Sequence, residues 1–211
     1  VDRAVRGARR ALFEGDWPAM TATQRGHLLY RLADLVAEAA HHLGSVETTD
    51  SGKLAAETRA QSAYVLDYYR YYAGLADKIQ GDTLPIDKPD LHVYTTREPV
   101  GVVAAIVPWN AEMFLTATKV GPALAAGNTV VIKASEVAPA PLLEFARVID
   151  EVGFPPGVVN LITRPNDDQQ AVKFLMGSHQ TVKTTLMAQS HSELGDLESS
   201  WLLNSNGFLT Q

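Results

Sequence analysis

The sequence predicts an α/β fold in which a parallel β-sheet carries helices on both faces. Two apolar runs rich in β-branched residues, 100–107 and 129–132, flank a helical stretch over about 114–126 that ends at Gly127 and Asn128. Parallel strands need such a crossover, and strands buried on both faces are continuous apolar runs rather than alternating ones. We therefore expect a strand, helix, strand unit at the centre of the chain, with its first strand regular from residue 102 onward.

The segment before this unit predicts three helices. Residues 1–14 have an amphipathic pattern, which a Gly-Asp-Trp-Pro sequence ends. Thr21 and Gln24 have the spacing of a capping box and open a second helix. A third helix follows the break at residues 50–53 and runs to about residue 78. Its tyrosines recur at helical spacing, which predicts packing against the sheet or against another subunit.

The segment after the central unit predicts one more helix and strand. Residues 139–151 form a helical pattern with proline at its start, and a Gly-Phe-Pro-Pro-Gly turn then leads into a third parallel strand over 158–162. Beyond residue 163 the pattern is weaker. It favours a strand over 173–176 and a helix over 184–189.

Residues 81–97 predict a β-hairpin that leaves the main sheet. Short extended segments at 83–86 and 91–97 flank a turn rich in Asp, Lys and Pro, and the second segment alternates in polarity. The hairpin is therefore a separate unit between the helices and the sheet.

The composition favours a small-molecule function. The chain has 211 residues with a formal net charge of −6 and no basic block, which argues against a nucleic-acid or membrane-surface partner. No apolar run approaches the ~20 residues of a membrane span, so we expect a cytoplasmic protein. Cysteine is absent, which excludes disulfides, thiolate metal sites and cysteine nucleophiles within these residues. We expect no metal site.

Polar side chains follow two strands of the predicted sheet where each strand ends. Pro-Trp-Asn ends the first run at Asn110, and Lys-Ala-Ser-Glu follows the second at Lys133 and Glu136. In an open parallel sheet, ligands bind in the crevice outside the carboxyl ends of the strands. Asn110, Lys133 and Glu136 are therefore predicted to share one crevice.

Three long motifs carry a resemblance to a known family. Pro-Trp-Asn, the run KVGPALAAGNTVVIKASE at 119–136 and the run GFPPGVVNLIT at 153–163 resemble the amino-terminal half of the NAD(P)-dependent aldehyde dehydrogenase superfamily. The resemblance implies a Rossmann-like, NAD-binding domain over residues 98–211 with a shortened, divergent C-terminal part. It also implies N-terminal helices over 1–80 that pack on this domain, and a bridging hairpin over 81–97 through which a homo-oligomer forms.

The resemblance assigns roles to residues of the crevice. In the family, the asparagine at the position of Asn110 donates its side-chain amide to the oxyanion that forms when a thiolate attacks the aldehyde. Lys133 and Glu136, with Ile106 and Trp109, would contact the cofactor, and Glu136 would disfavour a 2′-phosphate, so NAD is preferred over NADP. An Asx turn or helix cap is the alternative for Asn110. For the Lys133–Glu136 pair the alternative is a surface ion pair.

Two further motifs are shorter. No Gly-x-Gly-x-x-Gly follows a strand, and Gly177-Ser178 resembles the Gly-Ser element that the family uses for NAD, although a plain turn accounts for it equally well. Glu193 lies in Ser-Glu-Leu-Gly-Asp, which resembles the family's Glu-Leu-Gly-Gly, where the glutamate is the general base toward the hydrolytic water.

Two functions therefore remain open. The family's nucleophile is a cysteine, and this sequence has none, so we expect a truncated and inactive form of an NAD-dependent oxidoreductase that turns aldehydes into carboxylic acids. Its partner would be an aldehyde, if a catalytic domain completes the site. The alternative is a non-catalytic nucleotide-binding or assembly module. Ala111, Glu112 and Met113 stand where the family often has Phe-Pro-Leu, so the particular aldehyde stays open.

Overall fold

A computed structural model describes residues 1–163 and the strand at 182–187. The described helices are α1 Asp2–Phe13, α2 Asp16–Ala19, α3 Ala22–Ser51, α4 Ala55–Leu75, α5 Glu112–Ala125 and α6 Ala140–Val152, with a 3₁₀ turn at Ala76–Lys78. The described strands are β1 Thr83–Leu84, β2 Val93–Tyr94, β3 Val102–Ile106, β4 Thr129–Lys133, β5 Val159–Ile162 and β6 Val182–Met187.

The main sheet contains four parallel strands in the order β5-β4-β3-β6. Val102 pairs with Thr129 and Ile106 with Lys133, so β3 and β4 end side by side. The three parallel strands expected at residues 102–107, 129–132 and 158–162 are confirmed, each to within one residue at either end.

Helices cover both faces of this sheet. Side chains alternate between the faces of a strand, so neighbouring residues of one strand belong to different layers of the core. On one face, α1 places Val5 and Ala8 against residues of β3 and β4. On the other face, α5 and α6 pack over the alternate residues of the same strands, with α3 and α4 outside them. This confirms the α/β, Rossmann-like architecture.

The antiparallel pair of α3 and α4 builds the outer layer. Thr21 and Gln24 form the expected capping box at the start of α3, with a Gln24 N–H to Thr21 Oγ1 distance of 3.2 Å. Tyr64, Tyr68 and Tyr69 of α4 contact aromatic side chains of the helices that cover the sheet. Tyr69 stacks on Phe145 of α6 at a centroid distance of 6.3 Å. The expected contact with the sheet is therefore replaced by contacts with the helices that cover it.

The hairpin at residues 81–97 is confirmed as an antiparallel pair of short strands. Thr83 pairs with Tyr94, and Leu84 pairs with Val93. The Asp82 N–H donates to Thr95 Oγ1 at 2.8 Å, which ties the base of the hairpin together.

The end of the described chain corrects one expectation. The helix predicted over 184–189 is wrong, because Val182–Met187 is a strand that pairs in parallel with β3. This segment carries Val and two Thr, which suit a strand, and the open edge of β3 supplies hydrogen-bonding partners that local sequence cannot reveal. The strand predicted over 173–176 lies outside the described residues.

Candidate functional site

The carboxyl edge of β3 and β4 holds the predicted crevice residues. Ile106 pairs with Lys133, and the Val107 N–H donates to the Lys133 carbonyl at 3.0 Å. The segments that follow β3 and β4 therefore leave the sheet at the same level. Asn110 follows β3 by four residues, and Glu136 follows β4 by three. The structure thus places both polar segments at one edge of the sheet.

Lys133 and Glu136 form an ion pair at this edge. Lys133 Nζ lies 3.5 Å from Glu136 Oε2, and the side chains are 2% and 33% exposed respectively. The pair is therefore not an ordinary surface pair, since the ammonium group is enclosed and only the carboxylate faces solvent. The Ser135 hydroxyl between them is buried and accepts from the Val137 N–H at 3.3 Å, which fixes the turn of the loop.

Asn110 is exposed in the turn between β3 and α5. The residue at the N-cap position of α5 is Ala111, so Asn110 does not cap the helix. Within residues 1–163 its side chain has no hydrogen-bonding partner, which leaves the amide available to a ligand. Trp109 beside it is 38% exposed, whereas Ile106 is buried in the sheet.

Three predicted site residues belong to the part of the chain beyond residue 163. Gly177, Ser178 and Glu193 lie outside the described residues. Their cofactor-binding and general-base roles stay predictions.

Sequence reasoning did not assign a role to three buried ionisable residues. Glu47 of α3 and Glu112 of α5 are fully buried, and Lys119 of α5 is nearly so. Burial raises the pKa of Glu112 to about 8 and lowers the pKa of Lys119 to about 8. The Lys119 ammonium donates to the Leu115 carbonyl of its own helix at 3.1 Å. A carboxylate at the first turn of a largely apolar helix was the available signal for Glu112.

Within the described part of the chain, no group of three or more His, Asp or Glu side chains could hold a metal ion. Among the same residues, no helix is long and apolar enough to span a bilayer.

The family model described as "Aldehyde dehydrogenase family" matches residues 1–191. The chain is 65% identical over 163 residues to (Z)-2-((N-methylformamido)methylene)-5-hydroxybutyrolactone dehydrogenase of Acinetobacter baylyi, a match that covers 77% of this chain and 33% of that protein. It is 48% identical over 164 residues to mitochondrial aldehyde dehydrogenase of Rattus norvegicus, covering 77% and 31%.

Solved structures agree with these matches. The NAD+ complex of aldehyde dehydrogenase from Bacillus cereus has a TM-score of 0.82 and 39% sequence identity, covering 87% of this chain and 37% of that one. The chain spans about a third of the length of the curated relatives that it matches.

Proposed function

The chain belongs to the aldehyde dehydrogenase family, and we propose that its 211 residues supply the nucleotide-binding part of an NAD-dependent oxidoreductase that converts aldehydes to carboxylic acids. The observation that carries this proposal is the shared edge of β3 and β4. There the exposed amide of Asn110 stands beside the segment that holds the Lys133–Glu136 pair.

The residues at this edge fit an adenosine ribose. A carboxylate such as Glu136 accepts hydrogen bonds from the two ribose hydroxyls, and it is the exposed member of the pair. The enclosed Lys133 ammonium stands behind it, 3.5 Å from Glu136 Oε2, and orients the carboxylate. When bound, NAD supplies the acceptor for the hydride that leaves the substrate.

The amide of Asn110 fits the role of an oxyanion donor. A donor aimed at the oxygen where charge develops is worth about 3–4 kcal/mol in comparable sites. The Asn110 side chain is exposed and is not used by the fold, so it is free to serve a bound aldehyde. The aldehyde class itself is not specified by the described residues.

We predict that Glu136 sets the preference for NAD over NADP. A 2′-phosphate placed at the ribose would meet the Glu136 carboxylate, and two anions in contact cost binding free energy. Calorimetric titration of the wild type should show tighter binding of NAD, and Glu136→Gln should reduce the ratio of the two affinities by about tenfold, which corresponds to about 1.4 kcal/mol.

Glu151→Gln is the matched control. Glu151 is exposed near the C-terminal end of α6, whereas Glu136 precedes the N-terminal end of this helix. The control should leave the ratio unchanged. Equal affinities of the wild type for both cofactors, or an unchanged ratio in Glu136→Gln, would remove Glu136 from the nucleotide site.

A non-catalytic nucleotide-binding or assembly module is the second candidate. The absence of cysteine among these 211 residues favours it. It predicts NAD binding without turnover, whereas the first candidate predicts that a cysteine-bearing segment joins this crevice in the working enzyme. The intact mass of the protein isolated from its source distinguishes the two.

We further propose that the hairpin at residues 81–97 joins copies of the chain. Four of its large apolar side chains are about half exposed or more, and they belong to Leu84, Ile86, Leu91 and Tyr94. Apolar side chains concentrated on a projecting hairpin indicate an association surface.

Tyr94→Asp is expected to lower the sedimenting mass of the protein, because it places a charge in this surface. Tyr71→Asp is the control, since Tyr71 of α4 is 63% exposed against 64% for Tyr94. Loss of assembly in the control alone, or in neither variant, would exclude the hairpin as the contact.

A further inference from the structure

The helix that follows Asn110 begins on a buried carboxyl group. Glu112 is the first residue of α5 and is fully buried, and neither of its carboxyl oxygens has a hydrogen-bonding partner among the residues that the structure describes. Burying an unpaired carboxylate is costly, whereas the protonated form is far less penalised. The start of α5 is thus sensitive to the charge on one side chain.

A second buried carboxyl group faces it from α3. Glu47 is fully buried, and its oxygens also lack hydrogen-bonding partners. Burial is the largest cause of the raised pKa of Glu112, and the nearby Glu47 carboxylate raises that pKa further. The Glu112 N–H also faces Glu47 without reaching hydrogen-bonding geometry, and it lowers the pKa of Glu47 less than burial raises it.

The charged neighbours of the pair come from three elements. Asp50 near the end of α3 faces Glu112, Glu57 of α4 faces Glu47, and Lys53 lies between α3 and α4. Lys53 Nζ is 3.7 Å from Glu47 and 3.6 Å from Glu57, so its charge is divided between two carboxylates. The single ammonium group of Lys53 cannot neutralise Glu57 together with both buried carboxylates. A proton on one of the two buried carboxyl groups reduces the excess negative charge.

The region around Glu47 and Glu112 is connected to both polar segments of the crevice, the one that ends at Asn110 and the one that contains Glu136. Asn110 precedes Glu112 by two residues, so the first turn of α5 sets the position of its amide. Asp50 accepts from the Ala140 N–H at 2.8 Å, and Ala140 begins α6 shortly after Glu136. A displacement of about 1 Å in a positioned catalytic group can cost a hundredfold in rate.

From this arrangement we propose that Glu112 is a positioning residue that holds a proton against Glu47, and that loss of this proton displaces the first turn of α5 and with it Asn110. The consequence for catalysis rests on the oxyanion role proposed for Asn110. The proton and the displacement themselves do not depend on that role. Asn110 is therefore held in position when Glu112 is protonated and is displaced at alkaline pH.

The direction of the pH effect follows from burial. Glutamate in the unfolded chain ionises near pH 4.5, while the folded Glu112 keeps its proton up to about pH 8. Between these values the folded state binds more protons than the unfolded state, so stability falls as the pH rises through this window and levels off above it. Glu112→Gln imitates the protonated form and should remove the contribution of Glu112 to this slope, while any contribution of Glu47 remains.

The test is the side-chain amide resonance of Asn110 in nitrogen-15 NMR spectra of the 211-residue protein, assigned with Asn110→Ala. In the wild type the resonance should shift with a midpoint near pH 8, as the carboxyl group ionises. It should not shift in Glu112→Gln. In Glu47→Gln the midpoint should fall by about one unit, because a neighbouring negative charge is gone.

A carbonyl stretch of a protonated carboxyl group should accompany these shifts in infrared difference spectra, and it should be absent from Glu112→Gln. Glu151→Gln, an exposed control, should behave as the wild type does. An Asn110 resonance that does not titrate in the wild type, or that titrates unchanged in both Glu112→Gln and Glu47→Gln, overturns the proposal. Titration of the same samples with NAD tests the nucleotide site separately, so failure of one assignment is distinguishable from failure of the other.

Discussion

A protein made of residues 1–211 alone is expected to form no NADH from NAD and an aldehyde. Aldehyde oxidation in this family begins with the attack of a cysteine thiolate on the carbonyl carbon, and hydride transfer follows from the covalent adduct. These residues contain no cysteine, and none of their serines stands in a Gly-x-Ser-x-Gly turn. The oxyanion role proposed for Asn110 requires such an adduct.

The measurement is NADH absorbance with one aliphatic and one aromatic aldehyde, using protein whose sequence is verified by mass. A complete, cysteine-containing relative assayed in the same buffer shows that the assay works. Ester hydrolysis, which the family performs with the same thiolate, should also be absent. NADH formation that scales with protein concentration and requires aldehyde would falsify this prediction and would assign the covalent step to another side chain.

The sheet could be predicted because strands that are buried on both faces have continuous apolar sequences. Residues 102–106 and 129–133 are buried throughout. The first run is entirely apolar, and the second is apolar between Thr129 and Lys133 at its two ends. The strand at Val182–Met187 lacks so clear a pattern, because polar Lys and Thr interrupt it. Its conformation depends on pairing with β3, and a pairing partner 80 or 81 residues away cannot be inferred from local pattern.

The site was predicted less completely than the fold. The parallel register explains why Asn110, Lys133 and Glu136 reach one edge, since strand ends follow from the strands themselves. The burial of Lys133 could not be foreseen, because a lysine at a strand end is usually exposed. The meeting of Glu47 with Glu112 requires the packing of α3 on α5, which no periodicity specifies.

Close packing of α1 against the turn before β5 predicts a large stability effect from a single added methyl group. Gly157 has φ +89° in the turn before β5, a conformation that L side chains rarely adopt. A Cβ atom at this position would also lie 2.7 Å from the backbone oxygen of Gly7 in α1. The neighbouring atoms are backbone atoms of Gly7 and the Cβ of Ala11, so relief of this contact requires a shift of the turn or of α1.

Gly157→Ala should therefore lower the free energy of unfolding by about 3 kcal/mol, the sum of a left-handed alanine and an overpacked contact. Gly153→Ala is the matched control, because Gly153 has φ +83° but a Cβ atom added there would meet nothing within 4 Å. It should cost about 1 kcal/mol, since only the backbone conformation is penalised. Denaturant unfolding of both variants measures the difference. Equal losses would mean that α1 adjusts freely, and its contact with the turn before β5 would then not fix the position of the helix.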